Sequence, residues 1–252
     1  MWIEKCENRV IHSQLMQLFV LASCPVLCAK LHCDTHVVSQ LKELVQILYT
    51  ALKYMGFAVT ASVTLPDGTD APPYAPVWSH PCCHWVAASI TNIDWTVQLG
   101  AALSAEYTTR YGKVHRCQHH LYHIKSHVDS IRDQLPAGFT DPADWHASLS
   151  DKARESVTPR TVTHEVPIGT SFAVLAMEPD MYARNSDGNV SAVDSYRKFY
   201  AYKAKHKFAM YWHKSTTVPT ELQSVWDSNW SSVAPLVRVP KRKRDEPTVV
   251  SA

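Results

Sequence analysis

The sequence predicts a mainly α protein, a single helical domain with at most a small β element, followed by a disordered basic tail. Three observations carry that expectation. Apolar residues recur at three- and four-residue spacing over long stretches, the period of helices with one buried face. Proline and glycine fall mostly between those stretches, where chain reversals belong. The stretch from Thr161 to Ala176, with Val162, Val166, Phe172, Val174 and Leu175, is the one that reads as strand.

In order along the chain, Met16-Gln17-Leu18-Phe19-Val20-Leu21 is a short apolar run that length alone leaves open between strand and helix. Ser23 or Cys24 then reads as an N-cap with Pro25 at the first helical position. Val37, Val38, Leu41, Leu44, Val45, Leu48, Leu52 and Met55 form a core stripe that stops at Gly56, opposite Lys42, Glu43, Gln46 and Lys53. Thr64 to Ser79, with four prolines and Gly68, is a loop.

Pro81 opens a second long helix, with Val86, Ile90, Ile93, Val97, Ala101 and Ser104 on one stripe and Gly100 as a weak point. That helix ends at Gly112, and a third begins beside it with Val114, Cys117, Leu121, Ile124, Val128 and Ile131, so the two are expected to pack antiparallel. Phe139 to Arg160 reads as irregular, with a short helix near Ala143 to Leu149. A last helix is expected from Ser191 to Trp212, then a Trp/Ser-rich closing segment. Residues 1–15 are taken as an extension, 16–228 as the domain and 229–252 as the tail.

Bulk composition narrows the function classes. At 252 residues and 19% charged residues the chain can bury a substantial core. No run approaches the roughly 18 apolar residues of a membrane span, so no membrane partner is expected. Seven cysteines without regular spacing point to reduced thiols and an intracellular protein. Charge is uneven: Ser191 to Lys214 holds six Lys/Arg against one acid, and 229–252 holds five against two, so the excess cations sit in the C-terminal quarter. An anionic partner is expected to meet that part of the molecule.

Several groupings carry chemistry. Glu106-Tyr107-Thr108-Thr109-Arg110-Tyr111-Gly112-Lys113-Val114-His115 puts a carboxylate, a guanidinium, two phenols, an ammonium and an imidazole at the joint between two helices. Cys24, Cys28, His32 and His36 fall at successive i,i+4 positions, and His80, Cys82, Cys83 and His84 open the second helix. Zinc held by two donors from each set stands as an alternative to buried thiols and core histidines; no cofactor is the main expectation. The ladder His115, His119, His123 and His127 is expected on the exposed side of its helix.

Tyr196, Phe199, Tyr200, Tyr202 and Tyr211 alternate with Arg197, Lys198, Lys203 and Lys205. Rings suit unstacked bases and cations suit phosphates, although an ordinary core helix with solvated lysines has the same pattern. Lys241, Arg242, Lys243 and Arg244, bounded by Pro240 and Pro247, read as a nuclear import signal, with an import receptor as partner and nonspecific nucleic-acid contact as the rival.

Taken in order, Met16 to Leu21, His32-Cys33-Asp34-Thr35-His36-Val37-Val38, His80-Pro81-Cys82 with Trp85, Glu106 to His115, and Ser195-Tyr196-Arg197-Lys198-Phe199-Tyr200 resemble a family of phage and large-DNA-virus proteins. Thr35 and Ser39 stand where that pattern has lysines, and Ser79 where it has asparagine. More distantly, the order of apolar run, polar first turns, His-Pro helix start and acidic-aromatic stretch is similar to the small pyrimidine-dimer DNA glycosylases.

That similarity implies a helical fold, an N-terminal amine as nucleophile and a carboxylate near the start of the first helix, a region held here by Asp34 or His36. It also implies a pocket for a base or nucleotide. The expected function is a viral-type nuclear DNA- or nucleotide-acting enzyme, engaged in DNA repair or base processing, with Asp34, His36, Glu106 and Arg110 as catalytic candidates. Lys113, His115, Arg197, Lys198, Tyr200 and Lys203 are the nucleic-acid-binding candidates. A noncatalytic nuclear or virion-associated nucleic-acid-binding protein is the alternative.

Overall fold

A computed structural model of the chain describes residues 18–76, 81–135, 181–184, 186, 190–206, 209–215 and 217–230, together with the backbone of 165–168 and 171–174. The expected 1–15 extension, the short helix near Ala143 to Leu149, and the basic cluster Lys241 to Arg244 lie outside the described residues.

The protein is mainly helical. Among the described residues there are seven α-helices: α1 (Pro25–Leu31), α2 (Asp34–Tyr54), α3 (Pro81–Ala87), α4 (Ile90–Tyr111), α5 (Cys117–Ile131), α6 (Ala192–His206) and α7 (Thr220–Trp230). Strand is confined there to three antiparallel two-strand ribbons: β1 (Val63–Thr64) with β2 (Asp70–Ala71), β3 (Glu165–Ile168) with β4 (Ser171–Val174), and β5 (Ala183–Arg184) with β6 (Val190–Ser191). The expected strands within Thr161 to Ala176 are β3 and β4. The first ribbon interrupts what composition assigns to loop, because Asp67 accepts from the Thr69 N–H at 3.0 Å and Gly68 takes φ +79°, closing a Pro-Asp-Gly turn.

α2 is the central element. Its Leu41, Leu44, Val45, Leu48 and Leu52 are fully buried, in a cluster that extends from Leu18 to Leu222. α3, α4 and α5 pack around it. α4 and α5 run antiparallel: Asp94 meets Arg132, Gly100 faces Leu121, and Tyr107 meets His115. Gly112, with φ +64°, ends α4 in the left-handed conformation that favours glycine, and its N–H bonds back to Thr108.

Gly100 has a packing reason. A Cβ there would sit 2.9 Å from methyl carbons of both Leu44 and Leu121, so its absence lets three helices approach closely. Ala101, expected in the core stripe, is exposed instead.

Two predicted helices are each broken in two. The first breaks at His32 and Cys33, both extended (ψ 134° and 163°), with α1 ending and α2 starting at that corner. The second breaks at Ser89, whose hydroxyl accepts from the Asn92 N–H and caps α4. Apolar periodicity passes through both corners, since each side of a break still packs on the same core.

The predicted last helix stops at His206 instead of Trp212, and Trp212 pairs with Ser215 across a turn in which His213 and Lys214 have φ 49° and 63°. The closing segment is helical, α7, and carries structure to Trp230, past the expected boundary at 229. Leu18 to Ala22 is neither strand nor helix, yet it is buried. Side chains satisfy its backbone: Gln40 accepts from Phe19 N–H, Cys28 thiol bonds Phe19 O and Leu21 N–H, and Arg197 donates to Leu21 O.

Candidate functional site

Arg110 stands at the last turn of α4 with its side chain 2% exposed. Its five N–H groups each have an acceptor. Nε and Nη2 donate to Glu106 Oε2 at 3.0 and 2.8 Å, Nη1 to Asp34 Oδ1 at 3.1 Å and His32 O at 2.7 Å, and Nη2 to Lys30 O at 3.1 Å. Lys30 and His32 are the last carbonyls of α1, groups that a helix leaves unpaired and that a cation suits.

Asp34 is equally committed. Oδ1 also accepts from the His213 N–H at 2.9 Å and Oδ2 from the Lys214 N–H at 2.8 Å. Its own N–H donates to Tyr211 O, and its carbonyl accepts from the Tyr111 hydroxyl at 2.9 Å. Asp34, Glu106 and Arg110 thus come together as the sequence motifs suggest, but as a clasp that locks the α1–α2 corner to α4 and to the 211–215 turn. A guanidinium with every donor spent has none left for phosphate.

His36 takes no part in the clasp. It is buried, its Nδ1 lies 2.8 Å from the Tyr200 hydroxyl, and its ring stacks on Phe19 at 4.9 Å. The Tyr200 oxygen accepts from the Cys33 N–H at 2.7 Å, which leaves its proton for His36 Nδ1. Burial holds the His36 imidazole well below its ordinary range, with nearby His32 and Lys203 adding to the effect.

His32 is buried too, pushed down to about 4 mainly by desolvation. Its Nδ1 pairs with Cys28 O at 2.7 Å, while Nε2 has no hydrogen-bond partner among the described residues. Tyr200, expected to stack on a base, is fully buried and serves as the tie between α6 and the α1–α2 corner.

A second polar row runs along α2 from His36. Gln40, 1% exposed, accepts from Phe19 N–H through Oε1 and donates from Nε2 to Glu43 Oε2 at 2.8 Å. Glu43 is half-buried and near enough to influence the Cys82 thiol. From α6, the Lys203 ammonium lies over the Phe19 ring at 4.6 Å and the Phe199 ring at 5.3 Å. His36, Gln40 and Lys203 therefore meet at Phe19, and Gln40 links Glu43 to them, a set that holds a neutral imidazole, an oriented carboxylate and an ammonium.

Gln40 and Glu43 were absent from the sequence-derived site. The available signal was their i+4 and i+7 spacing from His36, which puts polar groups on a face next to the core stripe.

The other candidates disperse. Lys113 is exposed on the joint. His115 is half-buried, its Nδ1 accepting from Cys117 N–H and its ring bonded to the Val38 backbone. Arg197 is half-buried and donates from Nε to Leu21 O, and Lys198 is half-buried on α6. His119, His123 and His127 are half-buried, not on the solvent side, and His127 bonds Phe57 O at 3.1 Å. α5 buries a broader face than its apolar stripe, with His120 bonded to the Tyr49 hydroxyl at 2.9 Å.

Burial raises the thiols of Cys28 and Cys82 to about 12, and among the described residues no three His, Cys, Asp or Glu side chains gather as a metal site. His80 lies outside those residues. No helix among them is long and apolar enough to cross a membrane. Comparison with protein-family models, curated proteins and solved structures finds no match to this chain.

Proposed function

We propose that the protein binds and processes nucleic acid or a nucleotide at the row formed by His36, Gln40, Glu43 and Lys203, with Asp34, Glu106 and Arg110 as its supporting frame. The observation that carries this reading is the Gln40–Glu43 bond of 2.8 Å, with Gln40 also holding the backbone of Phe19, whose ring lies under the Lys203 ammonium. Buried polar side chains oppose folding unless paired, and a carboxylate oriented by a neutral amide, together with an ammonium from a facing helix, is the inventory of acid–base work on a phosphorylated or sugar-bearing substrate. In this assignment Glu43 handles the proton, Lys203 meets the negative charge, and neutral His36 donates or accepts a hydrogen bond.

The ordered motifs that resemble those of phage and large-DNA-virus proteins are the support for a viral-type setting. The Lys241 to Arg244 cluster supports nuclear import through an import receptor.

The test is incubation with damaged, modified and plain DNA oligonucleotides, for the wild type and for Glu43→Gln. Base or strand release that Glu43→Gln abolishes while binding persists is the expected result. Salt-sensitive binding without product would favour the noncatalytic nucleic-acid-binding reading, to which the closed state of the Asp34–Arg110–Glu106 group lends weight. Neither binding nor product would overturn both.

A further inference from the structure

The outer side of the α4–α5 joint carries a feature that the row around Phe19 does not use. Tyr107 and Tyr111 lie ring against ring at 4.9 Å and 35°, and His115 meets Tyr107 edge-on at 4.7 Å. Tyr111 is the exposed end of this run, and its orientation is fixed from below by its hydroxyl bond to Asp34 O. Val38 and Val114 lie on the same corner. With Tyr111 they make three of the five large hydrophobic side chains exposed among the described residues, so exposed apolar surface concentrates here.

The surrounding charge is positive. Lys42, one turn beyond Val38, and Lys113 and Lys214 are all exposed. The two carboxylates within the corner, Asp34 and Glu106, are committed to Arg110 and to backbone amides. A flat, rigid ring flanked by cations is complementary to a polymer that alternates flat π-faces with phosphates. An acidic peptide would match the lysines and leave the ring unused.

We propose that Tyr111 and Tyr107 form a platform on which an unpaired base of a single-stranded nucleic acid stacks, with flanking phosphates on Lys113 and Lys214. This rests on the nucleic-acid reading above but requires no reaction. It gives Lys113 the role that its place in the sequence suggested, and it puts the aromatic contact at the joint instead of on α6.

The experiment is fluorescence anisotropy of labelled dT15 and rU15 with the full chain at several salt concentrations. Tyr111→Ala is expected to weaken binding about tenfold, within the range of one base–aromatic stack. Tyr111→Phe, which loses the same hydroxyl bond but keeps the ring, is expected to bind as the wild type does, so loss in Tyr111→Ala alone assigns the effect to stacking. Replacing Lys113 and Lys214 together by alanine is expected to flatten the salt dependence by roughly one to two phosphate contacts.

The dT15 and rU15 arms separate a DNA from an RNA ligand. Wild-type binding unchanged by Tyr111→Ala would overturn the platform and leave the nucleic-acid reading intact. Equal affinity for base-free polyphosphate would also overturn it, because charge alone would then account for binding. Absence of oligonucleotide binding by the wild type would overturn both.

Discussion

The Arg110 guanidinium on α4 meets the Asp34 carboxylate at 3.1 Å across 76 residues of chain, and the same carboxylate caps the amides of His213 and Lys214. Removing one partner of such a buried pair strands the others. Arg110→Met is expected to destabilise the protein by about 3–5 kcal/mol, since it leaves Asp34, Glu106 and two carbonyls without their donor. Asp34→Asn is expected to cost about 2–3 kcal/mol, and the double variant less than the sum because the two sites are coupled. Urea unfolding checks all three. Loss of activity in Asp34→Asn at an unchanged midpoint would return Asp34 to the chemistry.

His32 makes stability depend on pH. Its folded value of about 4 lies below the ordinary 6.5, so between those values the unfolded chain binds a proton that the native state refuses. Stability is therefore expected to fall as pH drops from 6.5 to 4, by on the order of 3 kcal/mol from this residue. His36, shifted the same way, adds to the slope. Unfolding midpoints measured across that window test it, and His32→Asn is expected to flatten the curve.

Gly100→Ala sets two effects against each other. Alanine gains about 1 kcal/mol of helix propensity, while overpacking against Leu44 and Leu121 costs about 1–3 kcal/mol. A net loss of up to about 2 kcal/mol is expected in the wild type. In a Leu44→Ala/Leu121→Ala background, where the crowding methyls of both residues are gone, the same substitution is expected to become stabilising. The sign change, read by thermal melting, is the diagnostic.

Tyr200→Phe removes the acceptor of the Cys33 N–H and the partner of His36 Nδ1. A loss of about 1–3 kcal/mol is expected, the cost of leaving buried polar groups unpaired. Oligonucleotide affinity should not move. A variant of normal stability but weakened binding would put the Tyr200 hydroxyl on the ligand.

These outcomes mark where sequence patterns carry information and where they lose it. Helical periodicity reports burial on one face, so the core stripe of α2 and the joint at Gly112 were legible, as was the i,i+4 pairing of Glu106 with Arg110. Periodicity is blind to a corner whose two sides share a core. That is why the breaks at Cys33 and Ser89 were missed, although Ser89 is a good capping residue. Tyr200 and Lys203 share a helix and a composition, yet one is buried and the other holds an ammonium over Phe19; only the partners of α6 decide which. The Leu18 to Ala22 run was ambiguous for a different reason, since its backbone partners are side chains of other elements, from Cys28 on α1 to Arg197 on α6, and not a neighbouring strand or its own helix.

The reach of Asp34 also bears on how the protein is made. Its amide donors at His213 and Lys214 lie 179 and 180 residues downstream. At roughly 5–20 residues per second a ribosome needs on the order of 5–20 s to travel from Arg110 to Lys214. During that interval the carboxylate has its cation but not its amides, and the α1–α2 corner lacks the Trp212 indole that donates to Leu31 O at 2.8 Å. A chain that stops short of this turn presents an unfinished corner, which makes the 211–215 segment the point at which a complete product becomes distinguishable from a truncated one.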